Sequence, residues 1–198
     1  MVIPVHKGVI PIFLMIVAAV LVSGCIFSSS QLDKIPPHII AATEALSDLD
    51  LIEGNINTFS LDDEIYLINQ LLSDNEGYQD DEEQLSSQYH AYRTWNDAFE
   101  LMSQILRDDY MIYQSHLRQA ERLYEDFNYV GWREEIIRAK SQAARMAEKS
   151  REAAYMMDTI PTEDIPADLQ QSLRQSRYAM MEIARQSTSL ENTLQQML

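Results

Sequence analysis

Glycine is scarce in this chain. There are five, and Gly8 and Gly24 fall within the first 24 residues, which leaves Gly54, Gly77 and Gly131 for the other 174 of 198. Sheet proteins turn tightly and often, and tight turns draw on glycine for backbone angles that other residues avoid. So few glycines argue against a many-stranded sheet and predict a few long helices. Proline is also sparse. After Pro4 and Pro11 come Pro36, Pro37, Pro161 and Pro166, where helices are expected to start or stop. Cys25 is the only cysteine, so no intrachain disulfide is available and the fold must rest on packing.

The familiar catalytic and metal-binding patterns are missing too. The zinc-protease spacing H-E-x-x-H is absent, and no histidine follows a glutamate by three residues, as di-iron bundles require. His38, His90 and His116 each stand alone, and the last two lie 26 residues apart on one predicted helix, about 39 Å along its axis. A nucleophile elbow would need Gly-x-Ser-x-Gly, and a phosphate loop would need clustered glycines. Adjacent methionines, Met156-Met157 and Met180-Met181, point about 100° apart on a helix and make poor copper clamps. Leu72–Glu83 resembles a calcium loop only in part: Gly77 and Glu83 align with its sixth and twelfth positions, but the first is Leu72, which cannot ligate. The expectation is a protein that is not an enzyme and has neither metal nor cofactor.

Positive charge is short. Fifteen Lys and Arg face 31 Asp and Glu, a net charge of −16. Such a chain is repelled by nucleic acid phosphates and anionic head groups, so no nucleic acid partner is expected. The imbalance is local: residues 25–110 hold 18 acids and 3 bases, residues 111–198 hold 13 and 11. The N-terminal half therefore presents an acidic face, either simply solvated or open to a cationic partner or divalent cations.

What is present begins at the N-terminus. Residues 1–8 carry Lys7 and no acid, and residues 9–22 (VIPIFLMIVAAVLV) are continuously apolar, the order of a secretory signal. The segment ends in Val22-Ser23-Gly24-Cys25, which resembles the lipobox of prokaryotic lipoproteins. The resemblance implies lipid attachment at the Cys25 thiol and cleavage between Gly24 and Cys25. Residues 1–24 are then a signal peptide and residues 25–34, with three consecutive serines, a short flexible tether. The rival is an uncleaved anchor helix, since residues 9–27 hold enough mostly apolar positions to span a bilayer. Both place the following residues on the outer, extracytoplasmic face, because the positive end stays inside.

Residues 35–198 read as one acidic helical domain. Five segments carry apolar residues at alternating steps of three and four. Ile39, Ala42, Leu46 and Leu49 mark the first, ended by Gly54; Leu61, Ile65, Ile68 and Leu72 mark the second, with Ser60 and Asp63 as a capping box. The third, about residues 81–127, runs from Leu85 through Tyr89, Tyr92, Asn96, Phe99, Ser103, Leu106, Tyr110, Tyr113, Leu117, Ala120 and Tyr124 to Phe127. After a turn at residues 128–131, the fourth runs from Trp132 to Ile160 and the fifth from Leu169 to Met197. Short links between long segments predict an all-α, elongated antiparallel bundle of three long helices plus a broken fourth. Heptads do not say whose helix fills the seam, so an intermolecular coiled coil is the alternative.

One stripe invites a ligand. Tyr89, Tyr92, Trp95, Tyr110 and Tyr113 offer flat faces and polar tips that could line a pocket, or could fill the core. The functions expected are therefore a membrane-anchored interaction or structural module working with a protein partner, or a ligand-binding or sensing bundle. A filled seam with an exposed apolar patch would favour the first, a closed tyrosine-lined pocket the second.

Overall fold

The computed structural model describes residues 31–76 and 83–198. The lipobox, the signal segment and most of the tether lie outside this range, as does residue 77–82 of the acidic linker. Among the described residues the fold is all-α, with five helices and no strand beyond an isolated bridge between Asp50 and Asn55.

Helix α1 spans Ile35–Ser47 and carries Pro36 and Pro37 in its first turn, where a missing N–H costs nothing. Helix α2 spans Phe59–Asp74. Its start differs from expectation: Ser60 lies inside the helix, and the Thr58 hydroxyl donates to Asp62 Oδ2 at 2.9 Å while Asn57 Oδ1 accepts from the Phe59 N–H. Helix α3 comprises Glu83–Gln104 and Tyr110–Glu125, joined by a π-helical turn at Ile105–Asp109. Helix α4 spans Tyr129–Asp158 and α5 spans Gln170–Met197.

Side-chain bonds fix the directions. Lys140 reaches Gln195, Arg151 reaches Thr188 and Asp158 reaches Arg177, so α4 and α5 run antiparallel. His116 meets Glu135, while Asp109 meets Gln142 and Lys149, so α3 and α4 do too. Asp62 pairs with Ser103 and Asn69 with Glu100, which lays α2 against the first half of α3. Thr43 pairs with Ser176 on α5, so α1 covers the neighbouring groove. The two short helices thus stand in for a fourth helix over one half of the bundle, and most of the long seams are filled from within the chain.

Between α1 and α2, Leu51 is pegged into the core. Its N–H donates to Gln186 Oε1 at 2.9 Å and its carbonyl accepts from the Tyr110 hydroxyl at 3.2 Å. Asp50 Oδ1 accepts the N–H groups of Ile52 and Glu53, and Gly54, at φ +76°, supplies the left-handed residue that turns the chain back.

The predicted seams of α4 and α5 are nearly all core: Ile136, Ala139, Ala143, Met146, Ala153 and Met157 face Leu173, Ser176, Met180, Ile183, Ser187 and Leu194. Small residues on α4 let the backbones approach. On α3 the seam shifts. Trp95, Met102 and Ile105 are fully buried beside Tyr92 and Phe99. The π turn adds a residue to one turn and widens the buried arc, so Ile105, Leu106, Asp109 and Tyr110 all face inward. Towards its C-terminus the seam reading fails: Tyr124 and Phe127 are exposed, not core.

The α3–α4 link is short because one residue serves both helices. Asn128 N–H donates to the Leu123 carbonyl and Phe127 N–H to that of Tyr124, the paired bonds of a Schellman ending. Asn128 Oδ1 then caps α4 by accepting from the Gly131 N–H at 3.0 Å. Gly131 leaves room for this cap, since a Cβ there would lie 2.9 Å from Asn128 Nδ2 and push the capping side chain aside.

Candidate functional site

The five candidate ligand-facing aromatics are all buried, and they divide into two groups. Tyr89, Tyr92 and Trp95 lie under α1, α2 and the start of α5, while Tyr110 and Tyr113 lie beyond the π turn. Trp95 Nε1 donates to Ser176 Oγ at 3.1 Å, and Tyr92 accepts from Gln88 Nε2 at 2.9 Å. Tyr110 donates to Leu51 and accepts from Gln114, and its ring leans on Tyr113 with centroids 5.8 Å apart. Burial pushes the hydroxyls of Tyr92 and Tyr113 up to about 12. These rings pack against protein and line none of the three clefts described next.

Those clefts are open, and most of the residues that line them are polar. One of about 570 Å³ lies between α1 and α5, beside Thr43, Glu44, Arg174 and Tyr178. Another of about 420 Å³ runs along α5 past Arg151 and Arg185. The third, of about 540 Å³, lies between α2 and the middle of α3 and gathers Asp62, Asp97, Glu100 and Asp108. Desolvation lifts the Asp97 carboxyl, while Arg107, bonded to Asp108, holds that carboxyl below its usual range. Here the acidic face predicted for the N-terminal half becomes a groove.

The isolated histidines go separate ways. His38 bonds Glu64 and His116 bonds Glu135, each at 2.7 Å, and exposed His90 meets the edge of the Tyr89 ring. Among the described residues, no three His, Cys, Asp or Glu side chains converge as a metal site. Half of the calcium-like segment, residues 77–82, lies outside the described residues, and its first position, Leu72, is buried in the core. No described helix is long and apolar enough to cross a membrane. Gly24 and Cys25 lie outside the described residues.

The feature that sequence reasoning missed is the tip of the α3–α4 hairpin. Tyr124, Phe127, Tyr129 and Val130 are exposed there, Phe127 at 78% and Val130 at 74%. The rings form a cluster: Tyr124 stands edge-on to Tyr129 at 5.6 Å and against Trp132 at 6.1 Å, and Phe127 stands edge-on to Tyr129 at 6.5 Å. Phe127 holds this place at φ +59°, a left-handed conformation unusual for a residue with a side chain. The signal was available, since five large apolar residues crowd nine positions around a turn that needs none. The heptad count absorbed three of them into the core.

Neither a protein-family model, nor a curated protein, nor a solved structure matches this chain.

Proposed function

We propose that the chain is a membrane-anchored, extracytoplasmic lipoprotein whose mature part, from Cys25 onward, is a non-catalytic helical module for interaction or structural support. The anchor rests on the apolar segment ending in Val22-Ser23-Gly24-Cys25. The module reading is carried by one observation: the aromatic stripe of α3 fills the core, while a separate aromatic cluster lies exposed at the hairpin tip. Rings buried on all sides serve packing, whereas exposed clustered rings mark a surface that gains from being covered. A sensing bundle would have been supported by the reverse arrangement.

The geometry also suits a tethered display. The negative charges of Asp168 and Asp33 both reach the Tyr92 phenol, so the first described residues lie near that end of α3. Phe127 lies 35 residues further along, about 50 Å away. A lipid on Cys25 would hold the bundle by the end opposite the tip. Crosslinking in intact cells, followed by identification of what is joined, tests the proposal. A defined protein partner is expected; recovery of lipid alone would count against it.

A further inference from the structure

We infer that the aromatic tip of the α3–α4 hairpin is the docking surface of this module, and that it fits an apolar pocket with a basic rim on a folded protein partner. The inference rests on the reading of the domain as an interaction module and names its site.

Three observations converge. The first is protrusion. Lys140 Nζ lies 2.6 Å from Gln195 Oε1, which sets the last turn of α5 beside Lys140. Helix α5 with its cap Leu198 runs three residues past Gln195, and beyond that end the hairpin continues for roughly eight residues of α4, about 12 Å. A narrow two-helix projection is a knob, and a knob fits a pocket.

The second is strain kept for little packing return, one edge-on contact with Tyr129. A left-handed backbone at a residue with a Cβ is unfavourable, and glycine is the usual occupant of this position after a helix. Phe127 occupies it with its ring 78% exposed. The Schellman bonds and the Asn128 cap fix the backbone on both sides of it, so the direction in which the ring leaves the chain is set before binding. Outliers of this kind mark functional positions, and preordered aromatic side chains are what binding hot spots are made of.

The third is charge. Glu121, Glu125, Asp126 and Glu134 are exposed around the rings, against Arg122 and Arg133. Two such tips would bring like charges together, which disfavours a second copy as the occupant. The same charges, on a chain of net −16, disfavour an anionic bilayer. A basic rim on a protein pocket complements them.

The test uses the full chain in intact cells, with a photoreactive benzophenone side chain placed at Val130 or, separately, at Tyr178, an exposed aromatic on α5. The Val130 probe is expected to give one discrete protein adduct, which Phe127→Gly reduces by about tenfold or more. With the identified partner purified, Phe127→Gly should weaken binding by about tenfold or more, Tyr178→Ser by less than about twofold, and added salt should weaken it further. Phe127→Gly should keep or raise Tm, because it relieves the left-handed strain. A lowered Tm would make the ring structural and overturn the inference. So would an adduct of lipid, an adduct of two copies of this chain, or a Val130 adduct indifferent to Phe127→Gly. An adduct from Tyr178 alone would overturn the tip while leaving the module reading intact. The absence of protein adducts from both positions would sink both.

Discussion

The indole N–H of Trp95 donates to the hydroxyl of Ser176 across 3.1 Å, and that hydroxyl lies 2.7 Å from Thr43 Oγ1. Thr43 gives its own proton to the Ile39 carbonyl, so Ser176 is the donor to Thr43 and the acceptor from Trp95. One buried hydroxyl thereby joins α1, α3 and α5. Ser176→Ala leaves the Trp95 N–H buried without a partner, at an expected cost of about 1–3 kcal/mol. Urea unfolding followed by tryptophan fluorescence measures it. Trp95→Phe combined with Ser176→Ala should cost less than the sum of the single changes, because the two groups share one bond.

The π turn of α3 is organised around Asp109. Its buried carboxylate accepts from Lys149 Nζ at 2.7 Å and from Gln142 Nε2 at 2.9 Å. Removing the cation leaves a buried negative charge, so Lys149→Met should destabilise by about 2–3 kcal/mol, below the range for fully buried pairs because Lys149 is partly solvated. Asp109→Asn keeps an acceptor for Gln142 and should cost less. A larger loss for Asp109→Asn would contradict this order, and thermal unfolding of both variants decides it.

Asn128 closes α3 with its backbone and caps α4 with its side chain. Asn128→Ala removes only the cap, for an expected loss of about 1 kcal/mol. Circular dichroism should show unchanged helix content with a lowered Tm. A much larger loss would mean that the hairpin depends on this residue for more than its cap.

Alkali should expose the buried tyrosines. Burial raises Tyr92 and Tyr113 from 10.0 to about 12, so the folded protein keeps protons that the unfolded chain releases. Their contribution is whole below pH 10 and is lost as pH rises toward 12, at a slope of up to about 1.4 kcal/mol per pH unit for each phenol. Tyr92→Phe with Tyr113→Phe should flatten the decline in stability above pH 10, measured by denaturant unfolding across that range.

The fold was legible because glycine scarcity and three-four spacing both report on helices. Tyr92, Phe99, Met146, Met180 and Ile183 fell where the seams placed them. Periodicity gives way at the α3 turn. A heptad count assumes a constant period, and the π turn at Ile105–Asp109 breaks it, which brings Asp109 inward where a charge is not expected. The same count extended the seam to Tyr124 and Phe127, since periodicity cannot say where a neighbouring helix stops. Helix α5 ends near Lys140, and beyond that level the apolar stripe faces water. The start of α2 was misread for a local reason, as Ser60 has the right spacing for a capping box but Thr58 and Asp62 make the bond.

The proposed lipid anchor would set how the tip is displayed, and it is open to one direct measurement: the intact mass of the protein recovered from the membranes of its own cells. The account predicts a chain that begins at Cys25 and carries lipid on it, with the lipid lost in Cys25→Ser. A mature mass that retains residues 1–24 would contradict it.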